Sequence, residues 1–192
     1  MSVSRETDRL AEFAALVRKW TPRINLIAPS TVDDLESRHI EDCVQLARIA
    51  RPQAGAWVDL GSGGGFPGIV MAILATDGDA HFHLVESDRR KAAFLRTAIR
   101  ELSLNATVEN ARIESLAPQN AHAITARALA PLDRLVPYLN RHLRPGGDAW
   151  LMKGENWREE LQAADLAAYR WQAYESETRP GAAILRLTKA SE

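Results

Sequence analysis

An aspartate, three alternating glycines and, one apolar run later, a glutamate are the residues whose types and spacing most plainly serve chemistry. The stretch WVDLGSGGGFPGIVMAIL, Trp57 to Leu74, leads an apolar segment into Asp59-x-Gly61-x-Gly63-x-Gly65 and then Phe66-Pro67-Gly68. Such glycines let a backbone take positive φ and approach a ligand closely. Two cofactor classes are held by strand–glycine-loop–helix turns of this kind. Gly63 to Gly68 satisfies the G-x-G-x-x-G dinucleotide pattern, but a glycine-rich loop meets that pattern in more than one register. In the dinucleotide version the first glycine leaves the strand directly and the loop faces a pyrophosphate. Here the strand gives out near Asp59-Leu60, so the first glycine is Gly61. An acid two places ahead of it opposes a pyrophosphate and suits a ligand carrying an ammonium and a sulfonium. S-adenosylmethionine is such a ligand. Glu86, closing the apolar run AHFHLVE, stands where a carboxylate would accept both ribose hydroxyls. NAD sites use a ribose acid too, so Glu86 indicates an adenosine ligand and Asp59 chooses between the two.

The kind of methyl transfer is narrowed by what the chain lacks. Amino-group methylation of adenine or cytosine goes with an Asn/Asp-Pro-Pro-aromatic loop, and the sequence contains none. Carbon-5 pyrimidine methylation needs a cysteine nucleophile. The single cysteine, Cys43, falls outside the α/β part of the sequence and reads as a packing residue. A general base is needed only where the accepting atom must lose a proton. An acceptor with its own lone pair, such as guanine N7, needs positioning and a suitable electrostatic environment.

Positioning these residues falls to a regular alternation of elements. Leu10, Phe13, Ala14, Leu16 and Val17 fall on one helical face between about Arg5 and Trp20, with Pro22 helping to end that helix. Ser30 and Asp33 read as a relative of the capping box, opening one or two helices that run to about Ala50. After the breaker RPQAG, strands are expected at Ala56–Leu60, Ala80–Glu86, Ala106–Asn110, Ala121–Ala126 and Gly147–Lys153. Helices are expected at Gly68–Ala75, Asp88–Leu102, Pro131–His142 and Glu155–Ala167. Two last strands, Tyr169–Ser176 and Ala183–Lys189, have no helix signal between them and imply an antiparallel edge. The expected fold is an α/β, Rossmann-like class I methyltransferase sheet, mostly parallel with that edge, preceded by an N-terminal helical cap. The expected division is residues 1–55 for the cap and 56–192 for the methyltransferase unit, together one compact body.

Four strings in the chain also carry a resemblance. GSGGGFPG (Gly61–Gly68), RHIEDC (Arg38–Cys43), TARALAPL (Thr125–Leu132) and LMKG (Leu151–Gly154) are similar to those of the glucose-inhibited division protein B family, as is the entry Trp20-x-x-x-Ile24-Asn25-Leu26. The resemblance runs from about Trp20 to Lys189. It implies a bacterial methyltransferase that modifies N7 of a guanine in the decoding-centre loop of 16S rRNA. It also implies that Gly61 and Phe66 contact the cofactor and that Ile113 and Glu114 line the adenine. Arg127 would reach the cofactor or the target nucleotide, and is the residue assigned to catalysis. Where the family has Ser-Arg-Ala-Phe-Ala, this chain has Ala126-Arg127-Ala128-Leu129-Ala130, so the serine hydroxyl and the aromatic ring are missing.

A net charge of −1, from 24 basic and 25 acidic residues, leaves RNA binding to local clusters. Arg89-Arg90-Lys91 opens the helix after Glu86 at the strand edge, where it serves either phosphates or solvent. Arg38 and His39 could cover the mouth of the site, and Lys153 ends the fifth strand at the same edge. His81 and His83 alternate on one strand without a third ligand at useful spacing, so no metal site is expected. The five tryptophans read mostly as packing, with base stacking by Trp157 a lesser reading. A charged N-terminus and the lack of a membrane-spanning stretch point to a cytosolic protein with no membrane partner, and a monomer is expected. Its expected partner is 16S rRNA or the small ribosomal subunit. Three other readings stay open: a small-molecule methyltransferase, an NAD(P)-binding oxidoreductase using the Gly63–Gly68 register, and a cofactor-gated RNA-binding module.

Overall fold

The computed structural model describes residues 3–75 and 78–191. Seven strands form one sheet: β1 (Ala54–Leu60), β2 (Asp79–Val85), β3 (Ala106–Glu109), β4 (Ala121–Arg127), β5 (Leu143–Lys153), β6 (Tyr169–Glu175) and β7 (Ala183–Lys189). Their spatial order is β3-β2-β1-β4-β5-β7-β6. The first five run parallel, and β7 pairs antiparallel with both β5 and β6. The helices are α1 (Val3–Ile24), α2 (Glu41–Ala50), α3 (Gly68–Leu74), α4 (Arg89–Glu101), α5 (Leu132–His142) and α6 (Trp157–Ala163).

Strand side chains alternate between the two sheet faces, and each face builds its own apolar layer. Trp57, Phe82 and Trp150 join α1, α2, α3 and α4 on one side. Val58, Val85 and Leu151 join α5 on the other. The helical segment that precedes β1 therefore shares a core with the sheet. Phe13 of α1, fully buried, meets Phe66 of the glycine loop at 5.2 Å and Phe94 of α4 at 6.4 Å between ring centroids.

The mostly parallel sheet and its antiparallel edge agree with the sequence reading, and several local features depart from it. Helix α1 continues past Pro22, because a proline in the last turn removes only one helical donor. The helix ends instead at Asn25, which has φ 48° and donates its N–H to the Thr21 carbonyl at 3.0 Å. The expected capping box at Ser30 and Asp33 does not form. A 3-10 turn at Pro29–Thr31 and a single π-turn at Glu36–Ile40 lead into α2, neither with a side-chain cap. Helix α6 stops at Ala163, where Asp165 draws the chain into a turn by accepting the Ala167 N–H at 3.1 Å. Trp171, on edge strand β6, is 53% exposed rather than packed.

Phe13→Ala should cost about 3–5 kcal/mol, the range for deleting a buried aromatic side chain. Urea unfolding of the full chain measures this, and a loss under about 1 kcal/mol would show that α1 contributes little to the common core.

Candidate functional site

Parallel strands bring the ends of β1, β2 and β4 to one edge, and the glycine loop is folded back onto that edge by its own backbone. Gly61 and Ser62 both donate N–H to the Val85 carbonyl at 3.0 Å. Gly65 donates to the Ser62 carbonyl at 2.7 Å, and the Ser62 hydroxyl to the Asp59 carbonyl at 3.0 Å. Gly61, Gly63 and Gly65 all have positive φ, between 53° and 89°. Glu86 is buried beside this loop. Its Oε2 accepts the Gly63 N–H at 2.8 Å and its Oε1 the Asp88 N–H at 2.7 Å, so both oxygens are oriented before any ligand arrives.

Gly61, Ser62, Gly63, Val85 and Glu86 line a cleft of about 530 Å3, within the roughly 300–1,000 Å3 of small-molecule sites. Gly61, Gly63, Phe66, Glu86, Ile113, Glu114 and Arg127, assigned to the cofactor from the sequence, all face it, and so does Lys91, which was assigned to RNA. A larger hollow of about 740 Å3 lies among Arg48, Arg51 and Asp79, near the starts of β1 and β2 and away from the edge where the predicted residues gather. Ile113 is buried, whereas Glu114 is exposed and accepts the Tyr138 hydroxyl at 2.6 Å, which holds its carboxyl below the ordinary range. Arg134 and Tyr138 also line the cleft and were not anticipated. Their spacing of four on α5 places them on one helical face, a signal the sequence does contain.

At the mouth, the Arg127 guanidinium lies 4.9 Å from the Phe66 ring centroid, within cation–π range. Its Nη2 is 2.8 Å from His39 Nδ1, and His39 Nε2 is 2.9 Å from Thr31 Oγ1. Arginine only donates, so Nδ1 must accept and Nε2 must carry the ring proton. Nε2–H then donates to Thr31, whose own hydroxyl donates to the Ala28 carbonyl at 2.9 Å. Burial first, and then the charges of Arg127 and Arg38, lower the His39 pKa to about 4, so the ring stays neutral near pH 7. His39 was expected to touch RNA. Instead, its Nδ1 holds Arg127, and its Nε2 ties the ring to Thr31.

Three other expectations change. Asp59 does not line the cleft: it is 1% exposed, its Oδ1 accepts the Thr125 hydroxyl at 2.7 Å, and a Cβ at Gly68 would lie 2.6 Å from its Oδ2. Gly65 also lies off the cleft, since its missing side chain makes room for Ile69 and Phe13. The Lys153 ammonium is buried, donating to Glu160 Oε2 and the Ala130 carbonyl at 2.7 Å each, so it is spent on an internal ion pair. Arg38, Arg89 and Arg90, which were assigned to RNA and not to the cofactor, are exposed and lie outside the cleft. Asp88 caps α4 by accepting the Arg90 and Lys91 N–H groups at 2.7 and 3.1 Å, which lets three cations stand at that helix start. Cys43 is a buried core thiol whose pKa is pushed up to about 12 by burial. The rings of His81 and His83 meet Asn105 and Thr107 side chains across the sheet face.

A family model described as GidB, rRNA small subunit methyltransferase G, matches residues 6–181. The chain belongs to the GidB family. Ribosomal RNA small subunit methyltransferase G of Paracoccus denitrificans is 55% identical over 190 residues, covering 98% of this chain and 97% of that protein. The protein of the same name from Ruegeria pomeroyi is 48% identical, covering 98% and 94%. Among solved structures, an RNA methyltransferase from Salinibacter ruber in complex with S-adenosyl-L-homocysteine superposes with a TM-score of 0.61 at 18% identity, covering 78% of this chain and 91% of that one. That likeness concerns the fold, a class I methyltransferase sheet.

In this GidB chain Asp59 acts on the loop from beneath. Burial, opposed by the Thr125 hydroxyl, pushes its pKa from 3.8 up to about 6. Between those values the fold keeps the proton and the unfolded chain has released it. Stability from this group is thus fully present below about pH 4, falls as pH rises to about 6, and is flat above. Asp59→Asn should abolish that decline, on the order of 3 kcal/mol in the wild type. The test is urea unfolding of both proteins from about pH 4 to 7. Parallel profiles would show that Asp59 is charged throughout.

Proposed function

We propose that this chain transfers the methyl group of S-adenosylmethionine to N7 of a guanine in the decoding-centre loop of 16S rRNA. The observation that carries the reading is the junction of an adenosine-type cleft with a cation at its mouth, Arg127, in a chain of the GidB family. The cleft's chemistry fits that cofactor. Glu86 offers carboxylate oxygens to ribose hydroxyls, Ile113 an apolar wall to the adenine, and Lys91 and Arg134 cations to the amino-acid carboxylate. A Cβ at Gly63 would meet nothing nearer than the Gly61 carbonyl oxygen at 3.7 Å, so the loop leaves open space on its ligand side.

Bound there, the cofactor supplies an electrophilic methyl group on a sulfonium. Guanine N7 attacks with its own lone pair, so no protein base takes part. The buried thiol of Cys43 and the enclosed carboxyl of Asp59 are accordingly not needed as reactants. Arg127 lies over Phe66 with its orientation set by His39, and serves to hold the target nucleotide in line. Arg38, Arg89 and Arg90, all exposed, serve the RNA backbone, whose phosphates position a substrate without specifying its sequence.

Three measurements test this reading. Radiolabelled methyl transfer to small subunits from a strain lacking the gene should label one guanine of 16S rRNA, mapped by chain cleavage at 7-methylguanine. No labelling by a protein that binds the cofactor would end the ribosomal assignment. Arg127→Ala should lower kcat/KM by about 100-fold or more, with His39→Ala adding nothing in that background because His39 acts through Arg127. Glu86→Ala should weaken cofactor binding by about 10- to 100-fold in calorimetry; an unchanged Kd would remove Glu86 from the site.

A further inference from the structure

A second cavity, of about 230 Å3, adjoins the cofactor cleft, and Arg127 and Ala128 line both. It is smaller than whole-ligand sites of roughly 300–1,000 Å3 and of a size for one planar base. Its other walls include Asp42 of α2, Met152 at the end of β5, and Ser176 and Arg179 of the turn between β6 and β7.

These walls are tied together. The Ser176 hydroxyl donates to Asp42 Oδ1 at 3.0 Å, and the Thr178 hydroxyl donates to the same oxygen. Gln45, one turn along α2, donates to the Glu175 carbonyl at 2.7 Å and accepts the Glu177 N–H at 3.0 Å. Asp42 is 6% exposed, yet among the described residues its Oδ2 accepts no hydrogen bond. A carboxylate oxygen of a largely buried residue needs donors that reach it, from solvent or from a ligand. The cavity beside Asp42 is where such donors can enter.

We propose that this cavity receives the target guanine, and that Asp42 recognises the base by accepting hydrogen bonds from its N1–H and N2 amino group. The inference rests on the guanine-N7 reading above and extends it to selection of the base. Guanine carries N7 and O6 on one edge and N1–H and N2–H2 on its far side. A base that turns N7 toward the cofactor cleft, across Arg127 and Ala128, therefore turns its two adjacent donors the other way, toward Asp42. Adenine and cytosine would each present a ring-nitrogen acceptor beside one amino donor, and uracil one N–H donor flanked by two carbonyl acceptors. Only guanine satisfies a carboxylate on that edge twice. Reading an extracted base by its Watson–Crick edge is a general solution for enzymes acting on bases.

The test replaces the target guanine by inosine, which keeps N7, O6 and N1–H and lacks only the N2 amino group. Small subunits are reconstituted with splint-ligated 16S rRNA carrying either base, and kcat/KM is measured for the wild type and for Asp42→Asn. Expected is a wild-type preference for guanine of about ten-fold or more, the scale of one charge-assisted hydrogen bond. Asp42→Asn, with folding checked by thermal unfolding, should methylate both bases at similar low rates. Equal wild-type rates on the two bases, or an Asp42→Asn protein that keeps the wild-type preference, overturns the assignment. If Asp42→Asn does not fold, the wild-type ratio decides. Labelling of the guanine subunits in the same assay shows that the underlying reaction holds, so failure of the pocket and failure of the reaction are told apart.

Discussion

The Phe66 ring, 4% exposed at the tip of the glycine loop, is packed from three directions: Phe13 of α1 at 5.2 Å, the His39 ring at 5.4 Å and the Arg127 guanidinium at 4.9 Å. One aromatic side chain thus has an apolar partner beneath it and a cation near it. A ring face accepts a cation more readily when water is kept from it, and Phe13 and His39 provide that exclusion. The loop can follow this packing only because it lacks side chains where its neighbours press in. A Cβ on Gly64 would lie 2.8 Å from the Leu26 carbonyl oxygen, and one on Gly65 would lie 2.7 Å from Ile69. The loop glycines therefore divide their work. Gly63 opens the cleft, while Gly64 and Gly65 admit the helical segment that holds the loop from behind.

Much of this arrangement was legible in the chain, because it depends on local period and on residues close together in sequence. The β–α alternation, the glycine loop after β1, and Glu86 at the end of β2 follow from patterns a few residues long. The parts that were not legible depend on pairings between distant elements. Asp59 was assigned to a ligand because it precedes the glycines. It lies on β1 opposite Thr125 of β4, and that cross-strand pairing seals it inside. Lys153 was assigned to RNA from its place at a strand end, yet α6 turns Glu160 back onto it. His39 stood out in its motif, but its partner is 88 residues away, and only the fold shows that it holds an arginine.

Arg127 and Lys153 end neighbouring parallel strands, and the difference between them is a matter of charge. Lys153 faces Glu160, whose carboxylate cancels the ammonium and, with the Ala130 carbonyl, makes its burial tolerable. It contributes to the packing of α6 and offers little field to a phosphate. Arg127 is held by an imidazole instead. A carboxylate in the place of His39 would bind the guanidinium more strongly and would also neutralise it. A neutral ring nitrogen fixes the direction of one N–H and leaves the positive charge intact. The remaining guanidinium donors, at the junction of two cavities, can then meet an anionic or acceptor-rich substrate. The lowered pKa of His39 serves the same end, since a protonated ring would present a second donor to Nη2 and release the arginine. A chain with a net charge of −1 has few cations to spare for RNA, so how each is partnered matters more than how many there are.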